Sequence, residues 1–344
     1  ADGGAHMNES PRPCIAALLH SAGVADKPVS STSLSFSVIP RLNAAGRMGD
    51  AMLALNLLLE DDAHRAQDIA ADLEAVNSQR RAIEAELAEI ATLQAQEIYQ
   101  GQRALIVAGE GWHEGVKGIV ASRLARSYGV PTILFAIDEE GIARGSGRSV
   151  GSVNLFKAVE SCSDMLIRFG GHEAAVGVTL SAADLPAFTK RLCAFMDGLD
   201  KNCFHPRIDI DACVNLDELT VENVEALEQL APFGQGNRQP TYLAQNVMLT
   251  RSRAVGADKN HFSTVLTDGA HTVSGIMFHC AYIDRLMHCD SVVNAGFEVQ
   301  VDEWRGRRSV KAMLSSIYPA QPCVALESML DREQKSFVRM LLKK

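Results

Sequence analysis

The amino-acid sequence predicts an α/β protein in three successive parts: a long helix, a sheet domain covered by helices, and a small β-barrel. Three observations carry this prediction. Residues 63–98 keep a narrow apolar seam at helical spacing. From Arg103 onward, short apolar runs alternate with amphipathic stretches. Beyond residue 206, five short strand-like runs follow one another with turns between them. At 344 residues the chain is long enough for two or three domains, at roughly 100–200 residues each. An apolar fraction of 47% with 22% charged residues is ordinary for a globular chain and excludes a disordered or collagen-like one. The net charge of −9 argues against a uniformly basic nucleic-acid binder, but binding follows the local field, so a basic groove stays open.

The elements follow in order. Ala1 to Met7 (ADGGAHM) has neither the charged start nor the apolar stretch of a signal peptide and reads as a cloning remnant. No run of about 18 uncharged apolar residues occurs, so no membrane span is predicted and a cytoplasmic location is expected. Residues 8–60 hold an apolar stretch at Ile15–Leu19, a Ser/Thr-rich connection over 30–37 and a helical pattern over Ala51–Leu59. The long helix occupies 61–100. Its seam runs through Ile69, Leu73, Val76, Ile83, Leu87 and Ile90, with Arg80 and Gln94 in the remaining places. So short and interrupted a seam suits a strut between domains better than a free coiled coil. Over 101–198, strands are expected at 104–108, 132–137, 142–149 and 175–180, and helices at 116–128, 154–160 and 183–196. Residues 206–320 read as a short helix at 221–230 and a five-strand barrel, an OB-type barrel being one candidate. Residues 321–344 read as a terminal helix with a basic tip. Eight cysteines without a C-x-x-C pair are expected to be thiols.

Several motifs bear chemistry, each with a plainer structural reading beside it. In Arg41-Leu42-Asn43-Ala44-Ala45-Gly46-Arg47, two arginines and an asparagine flank small residues, which suits a phosphate clamp or, equally, a turn with surface arginines. In Gly145-Ser146-Gly147-Arg148-Ser149, hydroxyls and a guanidinium follow a strand, as an anion site or a polar hairpin would arrange them. In Arg168-Phe169-Gly170-Gly171-His172, a double glycine presents a histidine on a tight turn, where it could donate to phosphate or simply be structural. The Gly109–Gly115 turn followed by Lys117 fits neither the P-loop nor the dinucleotide fingerprint. His279-Cys280 and His288-Cys289 are spaced unlike zinc ligands. Trp304-Arg305-Gly306-Arg307-Arg308 joins an aromatic ring to three guanidiniums, the chemistry of single-strand binding or of a solvated basic hairpin.

Six stretches in this order resemble the RecJ family of single-strand-specific DNA exonucleases, within the DHH phosphoesterase superfamily. They are RLNAAGR (41–47), the long helix with Asn77 and Arg80, GWHEGVKGIVASRL (111–124), GSGRS (145–149), CSDMLIRFGGHEAAVGVTL (162–180) and APFGQGN (231–237), spread over about residues 11–320. The resemblance implies the tail of a DHH catalytic domain over 8–60, a connecting helix, a DHH-associated α/β domain with a mixed sheet, and an OB-fold DNA-binding domain. It also implies 5′-to-3′ release of mononucleotides from single-stranded DNA in repair and recombination, with manganese or magnesium activating water in the full-length enzyme. Single-stranded DNA is the implied partner, with replication or repair proteins such as a single-strand-binding protein or a helicase.

The aspartate motif near the family's N-terminus and the Asp-His-His signature, which hold its metals, are absent from this chain. The chain is therefore expected to be a C-terminal portion that holds no metal of its own and is inactive alone. Carried over by the resemblance are Arg41, Asn43 and Arg47 as phosphate contacts, Ser146, Arg148 and Ser149 as an end-phosphate pocket, and Gly170, Gly171 and His172 at the cleft, His172 as a catalytic candidate. Trp304, Arg305, Arg307 and Arg308 would extend the DNA track. A non-catalytic DNA- or partner-binding module and a phosphodiesterase for short oligonucleotides are the competing readings. The charge is unevenly placed. Residues 60–100 hold ten acidic and three basic side chains, a net −7, whereas 238–312 hold nine basic and seven acidic, a net +2.

Overall fold

A computed structural model describes residues 2–320 except 27, 206, 207, 258, 281, 282 and 305. The expected terminal helix over 321–344 lies outside the described residues. The chain divides into two compact units at Pro206/Arg207.

In the first unit, α1 (Asp2–Glu9), α2 (Pro13–Ser21), α3 (Ile39–Met48) and α4 (Ala51–Leu59) precede the long α5 (Ala63–Ile98). The Ser/Thr-rich stretch expected to be a connection is helical instead. Ser30 and Ser33 form a reciprocal capping box that starts a turn at Ser31, and a π-helical turn, Leu34–Val38, runs directly into α3. Asp62 caps α5, accepting from Arg65 N at 2.9 Å.

The buried stripe of α5 differs from the expected seam. It runs through Ala66, Ala70, Leu73, Asn77, Glu84, Leu87, Ala91 and Ala95, while Ile90 is 46% exposed. Alanines let neighbouring backbones approach closely, a signal that a search for large apolar residues misses. Ala66, Ala70 and Leu73 join a core with Cys14, Leu18, Ala45 and Leu57. Leu87, Ala91 and Ala95 join a different core with Leu105, Val120 and Leu134. The helix is thus a strut between a helical cluster and a sheet. The polar gaps in its seam are contacts: Gln94 donates to Ala108 O at 3.0 Å, and Arg80 to Glu84 at 2.6 Å.

The sheet has the order β1-β2-β3-β5-β4, from β1 (Leu105–Glu110), β2 (Thr132–Ile137), β3 (Ile142–Arg148), β4 (Arg168–His172) and β5 (Ala175–Ser181). β1 and β2 pair in parallel and the rest antiparallel, so the sheet is mixed. The strand β4 is absent from the sequence-based expectation. A strand of Arg-Phe-Gly-Gly-His has almost no apolar alternation, because only Phe169 faces inward, against Phe156. One face of the sheet packs on α7 (Leu155–Glu160) and α8 (Leu185–Asp197) through Phe135, Val178, Leu180 and Phe188. The other packs on α5 through β1 and on α6 (Lys117–Tyr128) through β1, β2 and β3, which leaves β5 and β4 open. Gly129, at φ +67°, ends α6 in the left-handed conformation.

The second unit contains β6 (Ala212–Cys213), α9 (Val221–Leu227), β7 (Tyr242–Val255), β8 (His261–Thr267), β9 (Thr272–Met277), α10 (Ile283–Met287), β10 (Val293–Trp304) and β11 (Arg307–Pro319). Pairing of β10 with β7 closes β7-β8-β9-β11-β10 into a five-stranded barrel. Its interior is filled by Phe262, Leu266, Ala295, Phe297 and Ala312. The helix α10, between the two His-Cys pairs, is likewise outside the sequence-based expectation. It leaves Cys280 buried and His279 exposed. No helix among the described residues is long and apolar enough to cross a membrane. The seven cysteines among the described residues are all thiols.

Candidate nucleic-acid interface

The register of β3, β5 and β4 builds a nine-position grid on the face that α7 and α8 do not cover. Across the three strands its rows are Arg148–Ala175–His172, Ser146–Gly177–Gly170 and Arg144–Thr179–Arg168. Alternation dictates this outcome: Ala143, Val176, Val178 and Leu180 fill the core, which turns the polar positions outward. Arg144, Arg168, Gly170, His172 and Gly177 are exposed.

Arg148 is the best-defined member. Its Nη1 donates to Ser146 Oγ at 3.1 Å and to Gly147 O at 2.8 Å. Among the described residues no carboxylate pairs with it. Burial, and then the like charge of Arg47, hold the affinity of Arg148 for its proton below the ordinary arginine value. Arg47 arrives from the end of α3 and donates to Gly115 O at 3.0 Å. Two glycines permit this assembly. A side chain at Gly115 would collide with the Arg47 carbonyl. One at Gly118 would collide with the Arg148 guanidinium and come within 3.0 Å of Ser146 Oγ. The loop that resembles a nucleotide-binding turn is therefore a close-packing loop that brings Arg47 and Arg148 together. A cavity of about 340 Å³, lined by Ser122, Arg126, Arg148 and Ser149, opens beside them.

His172 stands at the sheet edge, with Nδ1 accepting from Ala174 N at 3.3 Å, an arrangement that places the ring proton on outward Nε2. The double glycine is not the turn. Gly171, at φ +136°, lies within β4, where a side chain would strike Ala175 O; the chain reverses at Glu173-Ala174. Lys117, with its side chain 2% exposed, donates from Nζ to Arg144 O and faces Glu114 Oε2 at 2.8 Å. Burial lowers its pKa, against the pull of Glu114.

Residues 101–198 match the DHHA1 domain model, and residues 210–316 match the RecJ OB domain model. The single-stranded-DNA-specific exonuclease RecJ of Bacillus subtilis (strain 168) is 33% identical over 284 residues, 82% of this chain and 36% of that protein. RecJ of Dickeya dadantii (strain 3937) is 32% identical over 323 residues, 90% of this chain and 55% of that protein. The chain belongs to the RecJ family. It spans about a third to a half of the length of these relatives. The crystal structure of RecJ from Thermus thermophilus in complex with Mn2+ shares the fold, with a TM-score of 0.75 at 24% identity over 93% of this chain and 46% of that one.

Against the family's expected contacts, the RecJ-type motifs divide. Arg47, Ser146 and Arg148 converge. Arg41 does not join them: its Nε lies 2.5 Å from Glu74, and its Nη atoms donate to Ser37 O and Ser21 O, which ties α3 to α5 and α2. Asn43 is exposed on α3. The Ser149 hydroxyl donates inward to Val153 O at 2.6 Å. In the barrel, Trp304 lies opposite Arg307 at the β10–β11 turn, Arg305 lies outside the described residues, and Arg308 forms an ion pair with Glu225 of α9. Sequence reasoning passes over His261 and Phe278. Alternation along β8 turns His261 outward to meet Phe278, which is 52% exposed, edge to face at 5.0 Å. It also passes over Asp209-Ile210-Asp211, a D-x-D whose carboxylates face Arg238 at 3.4 and 3.2 Å, with Asp211 also accepting from Thr241 N. The manganese or magnesium of the family has no fitting ligand set among the described residues: no three His, Cys, Asp or Glu side chains converge.

Proposed function

We propose that this chain is the substrate-binding portion of a RecJ-type 5′-to-3′ single-stranded-DNA exonuclease, and that Arg148, Arg47 and Ser146 take the strand's terminal 5′ phosphate. One observation carries the proposal. Guanidiniums from α3 and β3 come together beside the start of α6, and among the described residues no carboxylate pairs with either, an arrangement that an anion relieves. His172 Nε2 supplies a further donor at the same end of the grid, to orient a phosphate oxygen. The OB barrel, with His261 and Phe278 on its outer face, offers a surface of its own to single-stranded DNA. The metal chemistry belongs to residues outside those described. Incubated with a 5′-labelled single strand and manganese, the chain releases no mononucleotide; robust release sinks this part of the reading.

The binding part is tested separately. The chain should bind a 5′-phosphorylated oligonucleotide more tightly than its 5′-hydroxyl counterpart, and Arg148→Ala should erase that preference by about tenfold or more, as a charge-assisted pair implies. Equal loss for both ligands removes Arg148 from the end pocket. Affinity should also fall as salt rises.

A further inference from the structure

The grid has a second cationic end that the end-phosphate reading does not use. Its far row, Arg144–Thr179–Arg168, lies four residues along the strands from the Arg148 row, about 13 Å at the usual strand rise. Arg144 is engaged there by Asp138 at 2.5 Å. Arg168 is exposed, and among the described residues no carboxylate pairs with it. Between the two rows run Ser146, Gly177 and Gly170.

The glycines of these strands fall into two groups. A side chain at Gly145 would strike the Phe135 ring, one at Gly147 would meet Val176 Cγ2 at 2.6 Å, and one at Gly171 would strike Ala175 O, so packing requires all three. Gly170 and Gly177, cross-strand partners on the open face, would meet nothing within 4 Å and have no positive φ. The fold does not require glycine at either position, and glycine in a strand interior weakens it unless another body approaches closely.

We infer that Arg168 is a second phosphate contact, reached by a single strand that crosses the sheet from Arg148 over Gly177 and Gly170. The face is then a track for an oligonucleotide and not an end pocket alone. This rests on the reading that Arg148 holds the terminal phosphate. Only backbone and small side chains line the crossing, so the track reads phosphate spacing and is indifferent to base sequence.

The test compares thymidine 5′-monophosphate with a 5′-phosphorylated thymidine trinucleotide, bound to the whole chain and to Arg168→Ala, Gly177→Val and Arg148→Ala. Arg168→Ala should weaken the trinucleotide about fivefold, leave the monophosphate within twofold, and lower the log–log salt slope for the trinucleotide by about one contact. Gly177→Val has space for its side chain in an extended strand, so its melting temperature should not fall, yet trinucleotide binding should drop. Arg168→Ala binding both ligands as the unaltered chain does overturns the track. So does an equal loss for both ligands, which would place Arg168 in the end pocket. Trinucleotide binding unchanged in Gly177→Val overturns the proposed route. If Arg148→Ala alone leaves both ligands unaffected, the terminal-phosphate reading fails, and the track that rests on it fails with it.

Discussion

A pair of guanidiniums comes together both at the waist of α5 and at the end of β3, and the two places differ in what stands between them. At the waist of α5, Glu84, with its side chain 7% exposed, takes Arg80 on one oxygen at 2.6 Å and Arg123 of α6 on the other, while Asn77 Oδ1 accepts from Arg80 at 3.0 Å. At the end of β3, Arg148 and Arg47 approach with no carboxylate between them among the described residues. The waist is a carboxylate-bridged clasp that docks α6 on the strut. The end of β3 keeps its charge and can accept an anion. Neither property follows from the net charge of −9, because the ten acidic residues of the 60–100 segment say nothing about the field over β3.

The contrast breaks most visibly at Glu84. Glu84→Ala leaves two guanidiniums facing each other where one is largely buried, and should cost about 3 kcal/mol of unfolding free energy in a denaturant titration. Unfolding unchanged within about 0.5 kcal/mol would show that the clasp contributes nothing. Arg148→Ala should do the reverse. It removes a half-buried charge that has no opposite partner among the described residues, so unfolding should shift by less than about 1 kcal/mol while the preference for a 5′ phosphate disappears. A loss of stability comparable to that of Glu84→Ala would make Arg148 a structural residue.

How much of this was legible depends on what each signal was made of. Strands with apolar alternation or continuous apolar runs, such as Thr132–Ile137 and His261–Thr267, lie where periodicity put them. β4 was invisible because two of its five residues are glycine, and the buried stripe of α5 was misplaced because alanine does the packing. The site was legible as types and illegible as partners. GSGRS supplied Ser146 and Arg148, but that Arg47 joins them while Arg41 does not is decided by Glu74 and two carbonyls on other elements. Nor does any local pattern distinguish the glycines that packing demands from the two that it does not.

A smaller effect separates the two arginines of the RLNAAGR segment. Arg41→Ala should cost about 1–2 kcal/mol of stability, because it takes from Glu74 one of its two arginines, leaving Arg81, and takes a side-chain donor from two carbonyls, and should leave oligonucleotide affinity within about twofold. Arg47→Ala should weaken a 5′-phosphorylated strand severalfold and change unfolding by less than about 0.5 kcal/mol. An exchange of these two phenotypes would refute the division between scaffold and phosphate contact.

The smallest effect concerns Lys117, which pins β3 to α6 at Arg144 O beside the site. Burial holds its pKa in the folded chain below the ordinary 10.5, although Glu114 pulls the other way. In the window between that lowered value and 10.5, the unfolded chain binds more protons at this position than the folded chain does. The contribution of Lys117 to stability therefore rises with pH across the window. Lys117→Met, which keeps the buried stem and removes the titrating group, should abolish that rise. Unfolding free energies of the chain and the variant, compared from about pH 8 to about pH 10, should diverge by a few tenths of a kcal/mol or more, with the unaltered chain gaining. A difference of the opposite sign would mean that the ion pair with Glu114 outweighs burial, and that the ammonium at the start of α6 stabilises β3 by its charge and not in spite of it.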